Sequence, residues 1–209
     1  MVYLCRLLGT EQGNIKRSFP SPIIDQVLDT LLGKQFFSFA DGFSGYNQIH
    51  IALEDQDRTT FTCPWGMFSY IVLPFSLCNA LAMFQRPILN IFANLTNEGL
   101  EVYMDEFTPY GDDFDQALQT LEKVLERCIA ARLCLSNVKF HMMMIEGVIL
   151  GHYISTAGIQ LDPAKIQVIL LLPTPYTQTE VCSFLGYVGY YHRFTKNFSQ
   201  IAAPLYALT

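Results

Sequence analysis

The chain has 209 residues, of which 51% are hydrophobic and 15% charged, and its formal net charge is −6. That balance supports a sizeable core and excludes a disordered chain, while the acidic sign excludes a generic basic coat for nucleic acid. Any polynucleotide chemistry must therefore rest on a local site. The apolar runs fall far short of a bilayer span and no long apolar leader opens the chain. The expectation is a soluble, intracellular protein, cytoplasmic or nuclear, with no membrane partner.

The six cysteines include no Cys-x-x-Cys pair and sit mostly in apolar segments, which predicts buried, reduced thiols. Cys134, His141 and His152 lack the tight spacing of a structural zinc site.

Taken in order, Val2 to Leu8 is a short apolar run broken by Arg6, which predicts a strand whose partner lies in a missing neighbour. Ser21-Pro22 reads as N-cap and first helical position, followed by Ile24, Val27, Leu28, Leu31 and Leu32 at helical spacing and closed by Gly33. Phe36 to Ala40 is a buried strand delivering Asp41 into Gly42-Phe43-Ser44-Gly45. A carboxylate beside a glycine-rich turn suits a metal or phosphate site, with Ser44 and Gly45 offering N–H groups, and equally suits an ordinary turn. Tyr46 to Ala52 alternates like a strand, an acidic turn follows at Glu54 to Asp57, and Arg58–Cys63 with Phe68–Leu73 forms a hairpin around Pro64-Trp65-Gly66.

Leu77 to Leu95 is helical, with Pro87 expected to kink it or to end a first segment near Arg86. Val102 to Met104 and Phe107 read as two short strands meeting in a turn at Asp105-Glu106, with the turn-forming residues Thr108, Pro109 and Gly111 just beyond. Such a hairpin lifts a carboxylate out of an apolar sheet, where a divalent cation can neutralise it; its bland rival is an acidic turn. Asp112 and Asp113 open a long helix with Phe114, Leu118, Leu121, Leu125, Cys128, Ile129 and Leu133 inward. Strands at Lys139 to Ile145 and Val148 to Ile154 are joined by Glu146-Gly147. Asp162-Pro163 starts a short helix, and Thr177 with Glu180 forms a capping box ahead of the last helical unit. The order of elements predicts an α+β fold, an antiparallel sheet backed by helices. On neighbouring strands, Asp41 and Asp105 would make a two-metal phosphoryl-transfer site.

Collinear blocks then become specific: Phe39-Ala40-Asp41-Gly42-Phe43-Ser44-Gly45-Tyr46-Asn47-Gln48-Ile49, Leu73-Pro74-Phe75-Ser76-Leu77-Cys78-Asn79-Ala80, Phe84-Gln85-Arg86, Tyr103-Met104-Asp105-Glu106, Leu150-Gly151-His152, and Ser183 to Tyr191. With them the chain resembles the reverse transcriptases of gypsy-type long-terminal-repeat retrotransposons. The resemblance implies a right-hand polymerase: partial fingers over 1–35, a palm strand with the first aspartate over 36–47, fingers over 48–82, palm over 83–154, and connection and start of thumb over 155–209. It implies Asp41, Asp105 and Glu106 as ligands of magnesium (Mg2+), for which manganese (Mn2+) can substitute, and Lys139 near the leaving pyrophosphate. Arg6, Gly42, Ser44, Gly45, Tyr46 and Phe75 would form the nucleotide site, with Tyr46 under the deoxyribose. Gly151 and His152 would seat the primer end, and Arg193 and Lys196 would touch template and primer backbone. The implied partners are an RNA or DNA template with primer, deoxynucleoside triphosphates, and the ribonuclease H and integrase segments of a parent polyprotein.

The departures are Glu106 in place of the family's second hairpin aspartate, Ser76 for Gly, Leu81 for Pro, Pro87 within the helix, and Leu4-Cys5 where an Asp-aromatic pair is usual. They lead to an expectation of weak or lost polymerase activity. Two other readings stay open: a non-catalytic palm remnant, and a structural α+β protein with acidic turns.

Overall fold

The computed structural model describes residues 4–5, 23–75, 77, 80–96 and 98–209, of which 4–5 are described for the backbone alone. Two compact units result, one of residues 1–147 and 154–158, the other of residues 148–153 and 159–209.

The first unit opens with Leu4–Cys5 (β1) and the helix Ile24–Leu31 (α1), followed by Phe36–Asp41 (β2). A 3₁₀ turn at Gly45–Gln48 leads to His50–Ile51 (β3), then Leu53–Gln56 (α2) and the hairpin Phe61–Cys63 (β4) with Gly66–Phe68 (β5). Ala80–Ile91 (α3), Leu100–Tyr103 (β6), Glu106–Gly111 (β7), Phe114–Ala131 (α4) and His141–Met144 (β8) complete its main elements. Its sheet has the order β6-β7-β2-β8, with every neighbouring pair antiparallel.

The sheet is covered on both faces, and β6 alternates between the apolar core on one side and helix α1 on the other. Leu100 and Val102 join the core formed with Phe84, Ile88 and Phe92 of the α3 region and with Val124 and Cys128 of α4. Glu101, between them, lies beside Thr30 of α1 instead. Burying each of the large core side chains contributes about 1.5–3 kcal/mol, so this sheet and its two long helices carry most of the unit's stability.

Several expectations change here. Leu4–Cys5 pairs in parallel with His50–Ile51 of the same chain, so its strand partner is internal. Residues 45–48 form a 3₁₀ turn rather than part of a strand, and the acidic stretch 53–56 is a helical turn. Helix α3 continues past Pro87 to Ile91, so the proline does not end it. On α4 the buried stripe is Ala117, Thr120, Leu121, Val124 and Cys128, while Phe114, Leu118 and Ile129 are exposed. Close approach explains that rotation. A Cβ on Gly111 would stand 2.5 Å from the Ala117 nitrogen, so the helix meets the sheet through its small residues.

Thr108, Pro109 and Gly111 belong to β7 and make no turn. Tyr110 N–H donates to the Gly99 carbonyl on the β6 side, so by alternation the missing N–H of Pro109 faces β2, opposite Ser38. The β2–β7 register accordingly pairs 36, 37, 40 and 41, and the Ser38 hydroxyl accepts from Met143 N–H at 3.1 Å.

Glu146–Ile149 (β9), His152–Ser155 (β10) and Gly158–Leu161 (β11) form a three-stranded sheet of order β11-β10-β9. Glu146 and Gly147 lie inside β9, and the tight turn falls at Leu150-Gly151, because a fully left-handed pair of residues (φ 48 and 67) closes a two-residue hairpin. The second unit continues with Pro163–Leu170 (α5), Gln178–Tyr190 (α6), a 3₁₀ turn at His192–Phe194 and Phe198–Tyr206 (α7). Asp162 caps α5, and the Thr177–Glu180 capping box opens α6. Val181, Leu185 and Ala202 bury against Phe198 and Leu205. Among the described cysteines only Cys128 is buried, its thiol pushed up to about 11 by burial, while Cys134 and Cys182 are exposed. No helix among the described residues is long and apolar enough to cross a membrane.

Candidate active site

Two chain turns meet at the open end of β2. Asp41 is the last residue of that strand and pairs across the ladder with Glu106, while Tyr103 pairs with Glu106 on the other side. The β6–β7 turn therefore consists of Met104 and Asp105, one residue earlier than the sequence suggested, with Met104 left-handed at φ 54 and Glu106 already in strand. A non-glycine residue held at positive φ stores strain that the surroundings must over-determine. They do so through Gly42, whose N–H donates to the Asp105 carbonyl at 2.8 Å.

That bond sets the two aspartates side by side. A Cβ on Gly42 would lie 3.6 Å from the Asp105 Cβ, and one on Gly45 would lie 3.4 Å from it and 2.9 Å from the ring of fully buried Phe84. Residue 45 must be small because both walls are fixed. Burial raises the Asp105 carboxyl above its ordinary value, and the charge of Asp41 raises it further against the opposing effect of Lys139. Lys139 Nζ donates to Asp41 Oδ2 at 2.5 Å, a bond that raises the ammonium pKa. Glu106 is exposed and lies close to Tyr103, whose phenol is raised by burial and then by Glu106.

The nucleotide-side candidates assemble beside this pair. Ser44 is left-handed and exposed, at the start of the 3₁₀ turn. Half-buried Tyr46 packs its ring 4.9 Å from Phe84 and 5.2 Å, edge on, from exposed Phe75. Burial raises the Tyr46 phenol, and Asp105 adds to the rise. Arg6 and Ser76 lie outside the described residues.

Sequence reasoning treated Gln48 as a strand polar residue and missed its role. Its Nε2 donates to the Phe43 carbonyl at 2.6 Å and to the Cys134 carbonyl at 3.0 Å, and its Oε1 accepts from Cys134 N–H at 2.8 Å. The signal available was a long amide at the end of a glycine-rich turn, a residue type able to donate and accept at once.

In the second unit the predicted primer residues form a separate group. His152 is 1% exposed, stacked between Tyr190 and Phe194 with Tyr191 edge on. Its Nδ1 lies 2.7 Å from the Leu150 carbonyl, to which Tyr190 Oη also donates, and Tyr191 Oη donates to the Gly151 carbonyl. The imidazole holds the turn from behind and does not reach outward. Arg193 is half-buried and Lys196 exposed.

Among the described residues no three His, Cys, Asp or Glu side chains gather closely enough to hold a metal ion, the set Cys134, His141 and His152 included. What gathers is two carboxylates, with a lysine ammonium against one of them.

An antiparallel α+β sheet with paired acids at a strand end points to phosphoryl-transfer proteins. The chain belongs to the reverse transcriptase (RNA-dependent DNA polymerase) family, whose model matches residues 7–188. Its relatives are of the gypsy type: it is 32% identical over 195 residues to the retrovirus-related Pol polyprotein from transposon opus of Drosophila melanogaster, and 32% identical over 187 residues to that from transposon gypsy. Those matches cover 93% and 90% of this chain but 19% and 18% of the polyproteins. Among solved structures, foamy viral protease-reverse transcriptase in complex with double-stranded DNA superposes with TM-score 0.81 at 26% identity, and the same protein with an RNA/DNA hybrid at TM-score 0.80 and 26%. Each covers 91% of this chain, which spans 33% and 26% of those chains.

Proposed function

We propose that the chain is the palm, with partial fingers and the start of the thumb, of a polymerase that extends a primer on an RNA or DNA template at a low rate, using deoxynucleoside triphosphates. Fingers would occupy 1–35 and 48–82, the palm 36–47 and 83–154, and the connection and thumb 155–209. The carrying observation is that Asp41 and Asp105 lie together at one strand end, with the Lys139 ammonium bonded to Asp41 and its charge also acting on Asp105.

The donor set fits magnesium, which characteristically takes one or two protein carboxylates and completes its shell with water and substrate phosphates. Asp41 and Asp105 would hold it, with the Gly42 carbonyl and Glu106 as further oxygens. When bound, the ion supplies charge neutralisation at the attacking and leaving oxygens. The chain's own residues do the rest. Ser44 and Gly45 offer N–H groups to the triphosphate, the Tyr46 ring lies under the sugar, and Phe75 flanks the base side. Lys139, released from Asp41, stands ready to donate a proton toward the leaving pyrophosphate. Arg6 would grip the triphosphate from the fingers. In the second unit the Leu150-Gly151 backbone, stiffened by His152, would seat the primer end, and Arg193 and Lys196 would contact phosphates.

Glu106 limits the rate, since its extra methylene lets the carboxylate leave the register an aspartate would keep. Primer extension on poly(rA)/oligo(dT) with magnesium or manganese tests the reading. The expected result is slow extension that rises in Glu106→Asp and disappears in Asp41→Asn. The alternative is a non-catalytic palm remnant with at most weak nucleic-acid binding. Extension by neither the native chain nor Glu106→Asp, in either metal, decides for that alternative.

A further inference from the structure

We infer that Gln48 is the positioning residue of the nucleotide loop, fastening Gly42–Tyr46 to the segment that leads into Lys139. The inference rests on the reading of that loop as a nucleotide site and assigns a task to a side chain outside it.

The geometry is a clamp between the backbone at Phe43 and the backbone at Cys134, which lies 86 residues beyond Gln48 in the chain. The Gln48 amide uses both ends: Nε2 bridges the carbonyls of Phe43 and Cys134, and Oε1 takes the Cys134 N–H. Two backbone bonds flank it, from Phe43 N–H to the Cys134 carbonyl at 3.0 Å and from Ser136 N–H to the Asp41 carbonyl at 2.7 Å. Gly42 and Leu135 make an isolated bridge between the same stretches. Residues 133–136 thus run as a short rib beside the loop without forming a regular strand.

The loop needs such support. It is irregular, it carries a left-handed residue at Ser44, and its 3₁₀ turn contains Tyr46. Gly45 packs against Phe84 and Asp105 with no room to spare, so a shift of the loop moves Tyr46 and presses on the carboxylate pair. Only an amide can satisfy this clamp. A carboxylate of the same length faces two carbonyls without a donor, and a thioether of similar length has no donor for them and only a weak acceptor for the Cys134 N–H.

Gln48→Met and Gln48→Glu test the assignment, with two readouts on each. Amide hydrogen exchange at Cys134 and Phe43 is measured on the free chain, where both variants are expected to exchange about fivefold to tenfold faster than the native protein. Binding of dTTP and of UTP is then measured on the complex with poly(rA)/oligo(dT) and magnesium. Affinity for dTTP is expected to fall about fivefold to tenfold and the preference for dTTP over UTP to shrink, while affinity for the primer–template duplex stays within about twofold. Unchanged exchange overturns the inference. So does faster exchange with unchanged dTTP affinity and sugar preference, and so does a Gln48→Glu protein that behaves as native, because packing of the stem would then be the residue's whole contribution. Failure of the native chain to bind dTTP at all appears before any variant is made, and overturns the polymerase reading together with the task given to Gln48.

Discussion

Two hairpin turns in this protein solve one problem in different ways. Each closes two strands with two residues, and each holds a bulky side chain left-handed, Met104 at φ 54 and Leu150 at φ 48. The first turn is secured by the sheet itself: Gly42 N–H bonds to the Asp105 carbonyl, and the loop through Gly45 packs against the aspartate. The second is secured by aromatic side chains from a helix and the turn after it, with Tyr190 and Tyr191 donating to the Leu150 and Gly151 carbonyls around a buried histidine. A turn fixed by backbone leaves its side chain free for chemistry. A turn fixed by side chains leaves its backbone to be presented.

Asp105→Asn draws the contrast most sharply. It keeps the Gly42 bond and the turn but removes a charge, so primer extension should fall about a hundredfold or more with the urea midpoint nearly unchanged. Gly45→Ala attacks the same turn through packing. The added methyl would stand 2.9 Å from a Phe84 ring that is itself fully buried, and the overpacking should cost about 2 kcal/mol, read from chemical denaturation.

The strand feeding the first turn carries another acid, Glu101, 8% exposed, whose Oε1 finds no hydrogen-bond partner among the described residues and whose carboxyl is pushed up to about 7 by burial, against the smaller lowering effect of Thr30. Because the folded chain holds this proton more tightly than the unfolded one, stability is greatest below pH 4.5 and falls as pH rises from 4.5 toward 7. The loss is on the order of 2 kcal/mol, and Glu101→Gln should flatten that slope, visible in urea midpoints at pH 5 and pH 8.

How much of this could be read from residues alone differs between the turns for a physical reason. Asp41 and Asp105 announce themselves as acids among apolar strand residues, and the α+β order of elements follows from periodicity and caps such as Asp113, Asp162 and Thr177. The turn at Met104 was misplaced by one residue because nothing local favours a left-handed methionine; the Gly42 bond across the sheet imposes it. Leu150, assigned to strand by its apolar character, sits in a turn whose carbonyl is bonded from forty residues away, a contact no local pattern reveals. Gln48 was hidden because its three partners become neighbours only when residues 134 and 43 meet. On α4 the periodicity was right and Leu121 and Cys128 are buried as expected, but the stripe is rotated toward Ala117, Thr120 and Val124, since small residues were needed where the helix meets Gly111.

Tyr190→Phe tests the side-chain route. Losing the hydroxyl removes one bond to a turn carbonyl that His152 also approaches, and should cost about 1 kcal/mol in the second unit.

The smallest effect is the most diagnostic. Leu150→Asn places at φ 48 a residue that tolerates the left-handed region, ahead of Gly151 in the sequence order that two-residue hairpins prefer, and should raise stability by about 0.5 kcal/mol. Its value lies in combination with Tyr190→Phe. If the tyrosine hydroxyl is what keeps Leu150 left-handed, the turn relaxes when the hydroxyl is gone, the strain is already relieved, and the asparagine gains less in that background. If the gain is the same in both, the two-residue hairpin enforces its own geometry and the aromatic hydroxyls only decorate it. Urea midpoints of the four proteins in this cycle separate the two cases.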